Sequence, residues 1–443
     1  MSLPAFLYSP DGFQVDGFRL MGRRIAGREF LRALADRLRQ QPEPVRVFCP
    51  DPTQAQQMAD QLAQAGAPAT LQWISMLRPD LLGAAGTLHI PDPGIGRWAY
   101  ARERVGGRHY SLSGVIHTLC STGAMDMLAR LVLDPLHSWD ALICTSRAGR
   151  DVVRRMIEAQ QEYLAARCGA QRFETPQLPL IPLGVHCRDF DCSPAERVAA
   201  RQALGLTATE PVVLFVGRLS LHGKANPLPM YQALEQVAEQ GLPITLLECG
   251  EYSSAETGQA LAELQRLFPR VRFRVLGGDR PASEVEKRQA LAAADLFCSL
   301  SDNLQETFGL SVVEAMAAGL PCLVSDWDGY RDTVRDGVDG FRIPCRALAP
   351  ESAPDWAMAH DLGLLSYDLF IGLLSQTVVV DPEALTVRLT QLLTDPALRQ
   401  RLGAAARERA RAQFDWAVVF GQYEQLWAEL AERRRSDPGL PFP

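Results

Sequence analysis

Residues 295–325 read DLFCSLSDNLQETFGLSVVEAMAAGLPCLVS, and the organisation of the whole chain can be worked out from this segment. Asp295 to Ser301 is a short apolar run bounded by polar residues, and Pro321 to Ser325 is another. Between them, Ser311 to Ala318 carries good helix formers with apolar side chains at Val312, Val313 and Met316. Gly319 then suits a left-handed C-cap, and Pro321 forbids continuation. The segment is therefore strand, loop, helix, strand, with the helix starting near Gly309. Glu306 falls in the loop at the mouth of the helix N-terminus and Glu314 about one turn inside it. Such an N-terminus offers unpaired N–H groups and a partial positive charge that suit a phosphate, and Gly309 lets a ligand approach the backbone. A glutamate on each side of bound phosphates can accept hydrogen bonds from sugar hydroxyls. The plain alternative, one loop glutamate and one solvated helix glutamate, fits the E-x7-E spacing equally well.

The same alternation recurs along the chain. Apolar runs at Ala5–Tyr8, Val45–Cys49, Thr87–Ile90, Ser113–Ile116, Ala141–Thr145 and Pro179–Val185 are separated mostly by helical patterns. Phe30, Leu31, Leu34 and Leu38 make one face of the first helix. A second series follows at Val212–Val216, Ile244–Leu247, Val271–Leu276, Leu296–Leu300 and Cys322–Val324. Strands alternating with helices predict parallel sheets built from βαβ units. With 443 residues, two doubly wound α/β domains are expected, with a boundary in the polar segment Cys187 to Thr209. Residues from about 345 to 380 break the rhythm and read as an insertion. From Phe414, FDWAVVFGQYEQLWAEL is an amphipathic helix with aromatic anchors, followed by a basic tail.

Composition narrows the classes. A content of 47% hydrophobic and 22% charged residues is that of an ordinary globular protein, and a net charge of −7 argues against nucleic acid as a partner. No signal peptide or membrane span is expected. Cys49, Cys144, Cys298 and Cys322 stand singly in apolar runs and read as buried thiols, which makes the cytoplasm the expected compartment. The closest cysteine pair, Cys187 and Cys192, has no second pair beside it, so zinc is rejected. The DWD at Asp326–Asp328 follows a strand and ends in a turn-like Asp-Gly, which argues against a metal site there.

Of the 45 basic residues only two are lysine. Lys287 sits in the charged pattern SEVEKRQA and reads as part of a solvated face. Lys224 comes after the buried run Val212–Val216 and the pair Gly217-Arg218, where ligands bind in open parallel sheets. Arg218 and Lys224 could neutralise a diphosphate there, the alternative being two loop cations in water.

Taken together, GVH at Gly184–His186, VGRLS with its following lysine, ETFGLSVVEAMAAGLP, DG...DTVRDGVDGF and the late FDW helix resemble the retaining GT-B glycosyltransferases of family 4. The resemblance is strong from about Gly184 onward and weak before it. It implies two Rossmann-like domains facing a central cleft: 1–186 on the acceptor side, 187–413 for the nucleotide sugar, and 414–443 as a helix packing back toward the first domain. It further implies that Glu314 holds the ribose hydroxyls, that Glu306 binds the donor sugar, and that the backbone N–H groups of Phe308, Gly309 and Leu310 lie near sugar and phosphate. Arg218 and Lys224, beside Gly217, would stabilise the departing diphosphate. His117, in SGVIHTLCS, is the candidate for the histidine such enzymes often place near the reacting sugar; a satisfied core histidine is the other reading.

Two features depart from the family pattern. Lys224 lies six residues after Arg218, where the family spacing is five followed by glycine, so either Lys224 or a rearranged loop with His222 meets the phosphates. The first loop, PDGFQVDGFRLMGRRIAG, lacks a clean paired-glycine turn; Gly22-Arg23 either reaches the donor phosphates or is a surface turn. The implied reaction moves a sugar from a nucleotide-diphosphate sugar, the donor substrate, to a sugar, lipid-linked or protein acceptor, without cofactor or metal. With no second carboxylate evidently opposite the sugar, front-face substitution is expected. A nucleotide-sugar epimerase of the same fold would work without an acceptor, and a non-catalytic nucleotide-sugar-binding protein would bind without turnover. The arginine-rich first helix (Arg23, Arg24, Arg28, Arg32) suggests a peripheral membrane contact, against the simpler reading of a core helix.

Overall fold

The alternating pattern builds two sheets of one design. The protein is described here by a computed structural model over residues 3–13, 22–349 and 351–437. The first sheet holds β1 (Ala5–Leu7), β2 (Val45–Cys49), β3 (Leu71–Ser75), β4 (Thr87–His89), β5 (Ser111–Val115) and β6 (Ala141–Ile143), all parallel, in the order β3-β2-β1-β4-β5-β6. The second holds β7 (Val212–Val216), β8 (Ile244–Glu251), β9 (Val271–Gly278), β10 (Leu296–Ser299), β11 (Cys322–Ser325) and β12 (Gly340–Ile343) in the order β12-β11-β10-β7-β8-β9. Counted from the first strand of each set, both run third, second, first, fourth, fifth, sixth. The order reverses between β1 and β4 and between β7 and β10, and such switch points are where doubly wound sheets bind ligands.

The chain divides into two units, residues 1–184 with 416–443 and residues 185–415. In the first, the Gly22–Gln40 helix buries Phe30, Leu31, Leu34 and Leu38 against the sheet and against Trp416, Phe420, Tyr423 and Trp427 of the Trp416–Ser436 helix. The apolar face of that arginine-rich helix is thus core, and Arg23 and Arg24 pair with Asp11. His89 stands inside this aromatic cluster, its Nδ1 3.0 Å from the Ser113 hydroxyl, which also accepts from Trp427 Nε1 at 3.1 Å. Burial lowers the His89 pKa to about 3, so the ring is neutral.

Three elements differ from the sequence expectation. Residues 179–185 form only isolated bridges, Cys144 with Leu180 and Val185 with Asp415, because prolines at 176, 179 and 182 remove the donors a ladder needs. β3 was missed because its central side chains face outward at a sheet edge, and β12 because it is short and opens on a glycine. The segment after β12 is a closed excursion. β13 (Cys345–Arg346) pairs antiparallel with β14 (Val379–Val380), and the helices Pro354–Asp361 and Tyr367–Ser375 lie between them.

One buried acid gives the second unit a pH signature. Glu248 of β8 is 2% exposed and accepts from the Tyr231 hydroxyl at 2.6 Å and from Gln265 Nε2 at 2.9 Å. Burial raises its pKa to about 7, against the lowering by these two bonds. Because the folded value exceeds the unfolded one, the contribution is fully present below pH 4.5 and is lost as pH rises through 7. At about 1.4 kcal/mol per unit the loss is on the order of 3 kcal/mol by pH 8.5. Glu248→Gln is expected to raise the urea midpoint at pH 8.5 and leave it near wild type at pH 5; parallel pH dependence in the two proteins would refute the assignment.

Candidate active site

The candidate site of the second unit is built at the β7–β10 switch point, where Leu296 and Phe297 lie beside Val213 and Leu214. Each strand ends in a loop, and side chains of the second loop stitch the two together. The Ser301 hydroxyl donates to Lys224 O at 3.1 Å, Asp302 Oδ2 accepts from Asn226 N at 3.0 Å, and Gln305 Nε2 donates to Gly223 O at 2.7 Å. Asn303 donates to the carbonyl of His222. The Lys224 side chain runs back over Gly217, where an added Cβ would sit 3.1 Å from its Cε. Its Nζ pairs with Glu306, next to the Tyr330 hydroxyl. Burial opposes the charge on this lysine, but Glu306 and Tyr330 hold its pKa above the ordinary range. Lys224 therefore points into the site, while the His222 side chain lies against Gly372 of the excursion.

Glu314 has an equivalent partner. Lys287, in the Glu284–Ala293 helix, places Nζ 2.6 Å from Glu314 Oε1 and 5.8 Å from the centre of the Phe190 ring. This corrects the expectation of a solvated face: the Lys287 side chain is 20% exposed, and against the cost of burial Glu314 holds its pKa up. The charged pattern of its helix conceals that this position faces inward. The two lysines of the chain thus stand one on each glutamate of the E-x7-E pair.

The helix that follows runs Leu310–Ala317, with Gly309 left-handed at φ 95°. A Cβ there would fall 2.4 Å from Tyr330 Cε1, so both conformation and space demand glycine. Phe308 is buried edge-on against Phe414, and Leu310 opens the helix. The Ser311 hydroxyl, in the first turn, is buried with no hydrogen-bond partner among the described residues. Asp328, the one non-glycine residue with positive φ among the described residues (41°), lies in a turn whose next residue donates from Gly329 N to Glu306 O at 3.1 Å. Burial and then Glu306 push its pKa well up. Neither Ser311 nor Asp328 was marked as a site residue by the sequence, where the turn-like Asp328-Gly329 pair was the available signal. Arg218 is exposed, at the edge of a cavity also lined by Ser220, Asn226, Met230 and Glu248.

In the first unit, His117 Nε2 lies 2.8 Å from Pro91 O, just beyond β4, and so carries the proton. Burial lowers its pKa, against the bond to Pro91. His117 lines a cavity with Phe13, Arg23, Gly27, His89 and Trp416. Gly22 is exposed at the start of its helix with open space around it. Part of the first loop, residues 14–21, lies outside the described residues. Gly12 and Gly27 do make a close approach that the sequence did not disclose: a Cβ on Gly27 would fall 2.1 Å from Gly12 O. No group of three or more His, Cys, Asp or Glu able to hold a metal occurs among the described residues. No helix among them is long and apolar enough to cross a membrane.

Residues 196–353 match the model of the glycosyl transferases group 1. A phosphatidyl-myo-inositol mannosyltransferase of Mycobacterium leprae is 29% identical over 251 residues, 57% of this chain and 53% of that protein. A D-inositol 3-phosphate glycosyltransferase of Nocardia farcinica is 33% identical over 234 residues, 50% of this chain and 46% of that protein. The chain spans about half the length of these curated relatives. Among solved structures, HepE of Anabaena in complex with UDP-glucose matches with a TM-score of 0.57 at 17% identity, over 97% of this chain and 100% of that one. A glycosyltransferase of Rickettsia africae matches with a TM-score of 0.62 at 12% identity, over 97% and 99%. The fold is GT-B, and residues 196–353 are similar to the glycosyl transferases group 1.

Proposed function

We propose that this protein is a retaining glycosyltransferase that moves a sugar from a nucleotide-diphosphate sugar to an acceptor hydroxyl in glycan, cell-surface polysaccharide or glycoconjugate synthesis. The observation that carries the reading is the pairing of Lys224 with Glu306 and Lys287 with Glu314 at the β7–β10 switch point. Lys224 and Arg218 neutralise the diphosphate as its bond to the sugar breaks, helped by the N-terminus of the Leu310–Ala317 helix. Glu306 accepts from donor-sugar hydroxyls. Glu314 accepts from the ribose while keeping Lys287, since a carboxylate has about four lone-pair positions. The departing phosphate oxygen takes the acceptor proton on the same face, which retains configuration. The related proteins whose names specify inositol acceptors, and the UDP-glucose held by HepE, support this substrate class.

A thermal-shift screen against nucleoside diphosphates and nucleotide sugars, with and without EDTA, tests the reading. Selective stabilisation that survives EDTA is expected, and its absence across the panel would remove the proposal. Glu314→Ala removes a charged hydrogen bond worth about 1.5–3 kcal/mol, so nucleotide affinity should fall by roughly 10- to 100-fold. Calorimetric titration with the best nucleoside diphosphate of the screen measures this, and unchanged affinity would sink the ribose assignment.

A further inference from the structure

The excursion between β13 and β14 reaches the loop that carries Lys224. The Tyr367 hydroxyl, on the Tyr367–Ser375 helix, donates to Gln305 Oε1 at 3.0 Å. The amide nitrogen of Gln305 donates in turn to Gly223 O at 2.7 Å, immediately before Lys224, and its backbone N–H donates to Asn303 Oδ1 at 3.0 Å. On the same helix, an added Cβ at Gly372 would sit 3.0 Å from the Cβ of His222. The helix is seated by buried Phe370 and Ile371, with His360 stacked on Phe370 at 4.5 Å.

We infer that the 345–380 excursion is a brace for the Lys224 loop, with Tyr367 a positioning residue acting through Gln305. The proposal rests on the reading of Lys224 as a phosphate ligand. Gly223 O only accepts, so Gln305 must present its nitrogen there, and a hydroxyl proton on Oε1 fixes that orientation. Without it the Gly223 bond alone sets the orientation of the amide, and the donor to the carbonyl preceding Lys224 is held less firmly. The brace also accounts for the departure in spacing. A loop one residue longer than the family pattern has more conformations to choose among, and His222, Gly223 and Lys224 are each held by a bond from residues 301–305 or a contact with the excursion.

Because the chain has only two lysines, labelling lysine Cε with 13C yields two side-chain signals, assigned with the Lys287→Arg variant. Tyr367→Phe is expected to shift or broaden the Lys224 signal and leave that of Lys287, which reports on the integrity of the same unit. Gln305→Ala should produce the same displacement, and the double variant no more. Both signals unmoved in Tyr367→Phe, or both displaced alike, would overturn the brace. Titration of the wild-type protein with inorganic pyrophosphate separates this from the reading beneath it. A moving Lys224 signal supports the phosphate role, whereas a static one removes that role and leaves the outcome for Tyr367 to stand by itself.

Discussion

Lys224→Ala should reduce sugar transfer by about a thousandfold, the loss seen when a preorganised group aimed at developing charge is removed from a dry site. Two effects act in the same direction. The diphosphate loses the cation that neutralises it as the glycosidic bond breaks, and Glu306 is left without its ammonium, next to Asp328, whose pKa is pushed up by burial and by that same glutamate. The second effect costs stability as well. Removing one member of a fully buried pair costs about 3–5 kcal/mol, and with side chains 15% and 14% exposed the loss here should be smaller, about 1–3 kcal/mol. The double variant Lys224→Ala/Glu306→Gln distinguishes the two. It should recover most of the unfolding free energy, because no bare carboxylate remains, and none of the transfer. Urea unfolding and steady-state turnover on the three proteins give the answer. A Lys224→Ala protein with wild-type turnover would remove Lys224 from the reaction, and full turnover in the double variant would remove both groups.

The sequence disclosed most where a pattern repeats and least where a side chain meets a distant one. Val212–Val216 was legible because a strand buried on both faces must be apolar throughout, and Val45–Cys49 because Arg46 alone interrupts its apolar run. β3 was not, because at a sheet edge its Gln72 and Trp73 face solvent. The loop–helix of Glu306 and Glu314 was legible from Gly309, Gly319 and Pro321, each with a backbone reason. Lys287 was misread because pairing with Glu314 is a contact across 27 positions that no local period encodes, and the acidic neighbours Glu284 and Glu286 made the helix look solvated throughout. The link from Tyr367 to Gln305 spans 62 positions and was invisible for the same reason. In the first unit, the approach of Gly12 to Gly27 joins a four-residue helix to the next one, and glycines fifteen positions apart make no recognisable motif.

Glu306→Ala separates sugar chemistry from nucleotide binding, and the lysine pairing fixes the direction of each change. Transfer should fall by about three orders of magnitude, because a carboxylate that holds the donor sugar in its reactive orientation contributes to the transition state through positioning. Nucleoside diphosphate affinity should behave differently. In the unliganded protein the Lys224 ammonium is engaged by Glu306, and a diphosphate must compete for it. With the carboxylate gone the ammonium is free for the phosphates and the site is one charge more positive. Binding of the diphosphate is therefore expected to stay within about threefold of wild type or to tighten, by roughly 1 kcal/mol if the whole competition is relieved at the effective dielectric of a partly exposed site. Glu306→Gln, which keeps the shape and one acceptor, should fall between wild type and alanine in transfer. Turnover measured beside calorimetric titration of the free nucleoside diphosphate reads both quantities. Abolished diphosphate affinity in Glu306→Ala would mean that the residue organises the phosphate site itself, and the division of labour between the two glutamates would then have to be redrawn.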